Sequence, residues 1–258
     1  MARLSEVGGR RLPFLRLSFL RMAVGMKKLT TEWQVGDGRE EALGAHVVAT
    51  APPGDLDAAI DAIDRFGYEQ SYLINVGDEK GLILDRAIAT TQPKLLLELG
   101  AYVGYSALRT ARAMPAGARL VSVEFSPANA AIAQRVIEHA GVADRVTIVV
   151  GTIGDGGATI GALERDHGFG PGALDFVFFD HDKNAYLPDL QAILEKGWLH
   201  PGSRIVGDNI KFPGAPEFRA YLNERDGREW RVTEHETHVE YQSLLKDLVI
   251  EAEFLGEE

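Results

Sequence analysis

The stretch Leu97-Glu98-Leu99-Gly100-Ala101-Tyr102-Val103-Gly104-Tyr105-Ser106 decides the fold. Leu95, Leu96 and Leu97 ahead of Glu98 make a buried strand, Gly100 and Gly104 let the backbone turn tightly against a ligand, and the residues beyond are helix-forming. The next apolar run ends in an acid, Glu124. A carboxylate closing the second strand of an open α/β sheet is placed to accept hydrogen bonds from the two hydroxyls of a ribose. The spacing Gly100-x-x-x-Gly104, with Tyr102 between, departs from the Gly-x-Gly-x-x-Gly that brings a pyrophosphate onto a helix N-terminus. It disfavours NAD and suits a cofactor without phosphates, which leaves an NAD(P)-dependent oxidoreductase as the remoter alternative.

Outward from this stretch, strands and helices alternate with short connections after Pro93, predicting a mostly parallel sheet with helices on both faces. Strands are read at 94–99, 119–124, 145–150, 173–180 and 203–208, with weaker ones near 229–235 and 247–254 and a helix near 215–225. The helix after Glu124 is the best punctuated, with Ser126 as N-cap, Pro127 in the first turn, Ile132, Val136 and Ile137 inward, and Gly141 at its end. Upstream, Leu56, Ile60 and Ile63 recur at helical spacing behind the cap Asp55, with Asp57, Asp61 and Asp64 outward. A second helical pattern covers 78–91 around Leu82, Ile83 and Ile88. Residues 30–53 are mixed and end in the breaker cluster Ala51-Pro52-Pro53-Gly54. Residues 1–53 therefore read as a basic arm and linker, and 54–258 as the domain proper.

The formal charge of −11 and a pI near 5.2 argue against a protein that tracks phosphate backbones, so nucleic acid is not an expected partner. The absence of cysteine excludes disulfides and thiolate metal sites, and favours a hard ion such as Mg²⁺ or Ca²⁺ on oxygen ligands. It also fits a reducing, cytoplasmic setting. Residues 1–28 hold seven basic side chains against Glu6 alone, so they carry +6 and the remainder carries −17. Their apolar part, Pro13 to Met26, is interrupted by Arg16 and Arg21, far short of the roughly 20 apolar residues a membrane span requires. The Arg-rich, acid-poor composition reads as a transit peptide or surface anchor with a weak membrane contact, or as a poorly ordered or oligomer-contacting arm.

Two further strand ends carry chemistry. The run Leu174 to Phe179 ends in Asp180-His181-Asp182-Lys183, and Arg204 to Gly207 ends in Asp208-Asn209. If these strands are neighbours, Asp180, Asp208 and the Asn209 amide oxygen converge into an incomplete oxygen shell with room for water or substrate, as a catalytic Mg²⁺ site requires. Lys183 lies three residues beyond the first of them. A lysine beside a divalent cation, in a site drained of water, can give up its proton and serve as the base.

With these residues in place, the chain resembles the catechol O-methyltransferase family of class I S-adenosylmethionine-dependent methyltransferases. The resemblance runs from about Gly54 to Gly256. It rests on Asn75-Val76-Gly77-Asp78, the Leu97 to Ser106 stretch, Asp180-His181-x-Lys183, Tyr186-Leu187-Pro188-Asp189, Asp208-Asn209, Pro213-Gly214-x-Pro216 and Glu240-Tyr241. It implies a Rossmann-like, mostly parallel seven-stranded sheet whose last strand is antiparallel. By resemblance, Val76, Glu98, Gly100, Tyr102 and Ser106 line the methionine part of S-adenosylmethionine, and Glu124 with Phe125 takes the ribose side. Thr152 and Ile153 face the adenine, Asp180 and His181 add cofactor contacts, and Asn75 shapes the entrance. Asp180, Asp208 and Asn209 hold Mg²⁺, Lys183 deprotonates the acceptor, and Glu240 holds the second hydroxyl of a catechol-like small molecule, with Asn209 also touching it. Tyr72 and Pro213 occupy the places of slot walls. Asp182 stands where animal members usually carry tryptophan, which opens the slot or favours substrates with an amine, so a non-catechol polyphenol is the nearer alternative acceptor. The stretch Gly151-Thr152-Ile153-Gly154-Asp155 lacks the serine and glutamine often found there, which predicts weaker cofactor affinity than in animal members.

Overall fold

The structure is a computed structural model that describes residues 34–256. The expectations for the basic arm therefore lie outside the described residues as far as residue 33. Leu95–Leu99 (β1) is buried along its whole length because it has neighbours on both edges and cover on both faces. Arg119–Glu124 (β2) and Leu174–Phe179 (β4) flank it in parallel, Val146–Val150 (β3) lies beyond β2, and Leu199–Gly207 (β5) beyond β4. Lys246–Phe254 (β7) runs antiparallel between β5 and Trp230–His238 (β6), giving the order β3-β2-β1-β4-β5-β7-β6. The seven-stranded, mostly parallel sheet is thus the one anticipated. Strand order reverses between β1 and β4, and in open α/β sheets ligands collect outside the carboxyl ends at such a point.

Successive side chains of a strand face opposite ways, so Leu96 and Leu97 serve two separate apolar layers. One layer joins the sheet to helices Arg39–Thr50 (α1), Leu56–Glu69 (α2), Gly77–Thr91 (α3), Tyr105–Ala113 (α4) and Pro127–His139 (α5). The other joins it to Ala158–Asp166 (α6), Tyr186–Glu195 (α7) and Pro216–Glu224 (α8). The caps foreseen at Asp55 and Ser126 are made: their side chains accept from Ala58 N and Asn129 N. Among the described residues no helix is long and apolar enough to cross a membrane.

Two expectations need correction. α1 stands where the sequence reads as linker, its apolar residues Leu43 and Val47 fully buried against the layer that includes α5. Asp64, expected on the outer face of α2, is 5% exposed. The Tyr241 hydroxyl donates to its Oδ1 at 3.3 Å, and burial pushes its carboxyl up to about 7. Tyr241 comes from the turn between β6 and β7, a cover that helical periodicity within α2 cannot reveal.

Candidate active site

Gly100 and Gly104 adopt φ values of 101° and 91°, conformations that a residue with a Cβ rarely takes. A Cβ on Gly100 would sit 2.4 Å from the carbonyl oxygen of Asp180, so the turn after β1 lies directly against the end of β4. Glu124 ends β2 beside this turn. Its Oε2 accepts from Tyr102 N at 2.7 Å and its Oε1 from Ser126 N at 2.9 Å, with Asn129 and the backbone of Ala101 also donating to it, so the carboxylate is held in a fixed orientation at the cavity wall. A cavity of about 970 Å³ opens over these strand ends, large enough for a nucleoside and a second small molecule.

Of the residues singled out in the sequence, Tyr72, Gly100, Tyr102, Glu124, Phe125, Thr152 and Ile153 line this cavity. Asp180, His181, Asp182, Lys183, Asn209, Pro213 and Glu240 line it as well. Asn75, Val76, Glu98, Ser106 and Asp208 do not, and all five are buried behind its wall. Burial pushes the Glu98 carboxyl up to about 7; Ser122 donates to its Oε2, and Oε1 has no donor of good geometry. His181 stacks on Tyr186 with ring centroids 5.1 Å apart, and its Nε2 meets Asp189 Oδ2 at 2.9 Å. Its Nδ1 is buried without a partner, and burial holds the imidazole below its usual pKa.

Register brings the acids together. Phe179 pairs with Gly207, and Asp208 N donates to Phe179 O at 3.0 Å, so Asp180 and Asp208 leave adjacent strands side by side. Burial raises both carboxyls above the usual carboxylate range, in spite of Lys80 and Lys183 nearby. Lys183 Nζ donates to Asp180 Oδ1 at 3.1 Å and to the Tyr186 hydroxyl at 2.6 Å, and Tyr186 in turn donates to Phe179 O at 2.6 Å. Asn209 Nδ2 donates to Glu240 Oε1 at 3.0 Å, and the Tyr72 hydroxyl to Glu240 Oε2 at 3.1 Å. Tyr72 therefore supplies a polar edge as well as a wall.

Two participants escaped the sequence reading. Lys80, 1% exposed, reaches Asp208 Oδ2 at 2.8 Å and Asp247 Oδ2 at 3.3 Å, and also pairs with Glu240. Lysine is ordinarily solvated, and its three partners come from separate late elements. Its position two residues beyond the Asn75-Val76-Gly77-Asp78 motif was the available signal. Asp247 is the second residue of β7 and is 1% exposed.

A family profile described as O-methyltransferase matches residues 57–219. The chain belongs to the O-methyltransferase family. A probable O-methyltransferase of Mycobacterium tuberculosis is 58% identical over 91% of this chain and 100% of its own length. Catechol O-methyltransferase of Bos taurus is 39% identical over 83% of this chain and 76% of its own. An O-methyltransferase of Bacillus cereus, solved in complex with SAH, shares the fold with a TM-score of 0.61 at 23% identity, covering 90% of this chain and 97% of that one. Membership makes this protein an S-adenosylmethionine-dependent O-methyltransferase of the catechol O-methyltransferase type, and the crevice between Gly100 and Glu124 is where its fold class carries the nucleoside.

The O-methyltransferase site also fits a divalent cation. Asp208 Oδ2 is buried, and its one partner among the described residues is the Lys80 ammonium at 2.8 Å. The four carboxylates Asp180, Asp208, Glu240 and Asp247 face the two ammonium groups of Lys80 and Lys183, a formal excess of two negative charges. The donor set is two carboxylates and an amide oxygen, all hard ligands. No group of three or more His, Cys, Asp or Glu side chains poised to hold a metal occurs among the described residues.

Proposed function

We propose that this enzyme methylates one hydroxyl of a catechol-like vicinal diol, with Mg²⁺ held by Asp180, Asp208 and Asn209. The observation that carries the reading is Lys183 Nζ lying 3.1 Å from Asp180 Oδ1, on the strand end next to Asp208 and across from Glu240. Lys183 Nζ, as the neutral amine left once its own proton has passed to solvent, takes the proton of the reacting hydroxyl and holds it, as ammonium, against the Asp180 carboxylate. Glu240, steadied by Tyr72 and Asn209, accepts from the neighbouring hydroxyl and so selects diols over monophenols. Glu124 and the Gly100 turn hold the nucleoside so that donor and acceptor meet in line. S-adenosylmethionine, when bound, supplies a methyl group on a cationic sulfur. Mg²⁺, when bound, supplies Lewis acidity that eases loss of the hydroxyl proton. Asp182 is exposed at the cavity wall, with its Oδ1 on Asn184 N at 3.0 Å, and favours acceptors that carry an amine.

The test is a panel containing a catechol, a catecholamine, a non-catechol polyphenol and a monophenol, with S-adenosylmethionine and either Mg²⁺ or EDTA, products read by mass spectrometry. Monomethylated diol only with Mg²⁺ is expected. Turnover that survives full chelation overturns the metal assignment, and equal turnover of the monophenol overturns the diol.

A further inference from the structure

Asn209 follows β5 in the left-handed region, at φ 53° and ψ 38°, so its side chain is aimed by an uncommon backbone conformation. Its Nδ2 donates to Glu240 Oε1 and to Asp247 Oδ2, each at 3.0 Å. A carboxylate can only accept, so two carboxylates around one end of an amide force the NH₂ to that end. The amide oxygen is thereby turned the other way, and no donor among the described residues reaches it.

Asp247 is built to impose this orientation. Its Oδ1 is occupied by three backbone donors, Lys211 N at 3.2 Å, Phe212 N at 3.0 Å and Leu248 N at 2.8 Å. Its Oδ2 faces only Asn209 Nδ2 and Lys80 Nζ. The same carboxylate therefore ties the acceptor wall at Phe212 and Pro213 to the amide of Asn209. Glu240 alone cannot do this, because the acceptor competes for its oxygens.

We propose that Asp247 is a positioning residue that holds the Asn209 amide with its oxygen presented to the divalent-ion site. This rests on the Mg²⁺ reading above. Asp247→Asn keeps the shape of the side chain, and the three backbone donors keep its oxygen on their side. Its new NH₂ then meets Asn209 Nδ2 and the Lys80 ammonium, donor against donor, and Asn209 must turn. Adding Asn209→Asp restores a donor-acceptor pair with the new NH₂ at 247 and returns an oxygen to the site, while giving up the donor to Glu240.

The experiment titrates the full chain with Mn²⁺, followed by electron paramagnetic resonance without acceptor, alongside calorimetric titration of S-adenosylmethionine and thermal unfolding. Asp247→Asn is expected to weaken Mn²⁺ about 10- to 100-fold, in the range seen for residues that orient metal ligands, with S-adenosylmethionine affinity near wild type and a lowered Tm from the loss of a buried partner of Lys80. The double variant recovers most of the Mn²⁺ affinity, and serves alone if the single variant does not fold. Unchanged Mn²⁺ affinity in Asp247→Asn overturns the proposal, as does an equal loss of S-adenosylmethionine affinity or a double variant that binds Mn²⁺ no better than the single one. Wild-type protein that binds no Mn²⁺ overturns the metal reading itself, a result distinct from these.

Discussion

The hydroxyl of Tyr102 donates to Glu40 Oε1 across 2.9 Å, so helix α1 holds the glycine turn after β1 from behind. Glu40 is 2% exposed and comes before residue 57, where the family match begins. Gln34 Nε2 reinforces the same side by donating to Asn129 Oδ1 at 3.0 Å, on the cavity wall. Glu40→Ala leaves a buried phenol unpaired, at a cost of about 1–3 kcal/mol. S-adenosylmethionine affinity is expected to fall about tenfold in calorimetric titration, and further when residues 1–50 are removed. Wild-type affinity in both would show that α1 only packs.

Lys183→Ala removes the proton acceptor and leaves the Gly100 and Glu124 side of the crevice intact. Turnover is expected to fall by about 10²- to 10⁴-fold, with S-adenosylmethionine affinity retained within about threefold. Steady-state kinetics with parallel binding titrations check this, and a loss confined to the acceptor KM would assign Lys183 to binding alone.

Gly100→Ala places a methyl group 2.4 Å from the Asp180 carbonyl at a backbone φ of 101°. β1 and β4 then have to part at the point where the acids gather. A destabilisation above about 2 kcal/mol is expected, read as a drop in Tm. Gly154→Ala, with nothing within 4 Å of the added carbon, serves as the control and keeps its Tm.

The buried Asp64 predicts a pH-dependent gain. Its carboxyl is raised to about 7 in the fold, so the folded state holds a proton that the unfolded chain releases near pH 4. Below pH 4 both states are protonated and no penalty applies. The penalty grows between pH 4 and 7 and is complete above 7, at about 1.4 kcal/mol per unit of displacement. Asp64→Asn, which still accepts from Tyr241, is expected to raise Tm at pH 8 and to lose that advantage toward pH 4. Thermal unfolding across this range decides it, and an advantage independent of pH would assign the effect to packing.

The strand ends are legible because each apolar run stops at an acid, which marks Glu124, Asp180 and Asp208 in the sequence itself. Sheet architecture followed from the alternation after Pro93. Lys80 and Asp247 were not legible. The partners that bury Lys80 lie at Asp208, Glu240 and Asp247, and those of Asp247 at Lys80, Asn209, Lys211 and Phe212, so nothing in the immediate neighbours of either differs from those of a solvated residue. The same holds for Asp64, whose cover is Tyr241. α1 was missed because its buried face includes Arg39, Glu40 and Gly44 beside only two large apolar residues, Leu43 and Val47.

Because β7 runs against β5, the turn joining β6 to β7 falls at the sheet edge where the parallel strands finish, and Glu240 and Asp247 arrive there within one hairpin. Most of the residues proposed to hold the nucleoside lie between Gly100 and Gly154, more than eighty positions earlier. The hairpin therefore delivers two late side chains to a cavity whose remaining proposed acceptor contacts, Tyr72, Asp182, Lys183, Asn209 and Pro213, come from three other places along the chain. Exchanging the hairpin alone between homologues changes one side of that cavity and leaves the others in place.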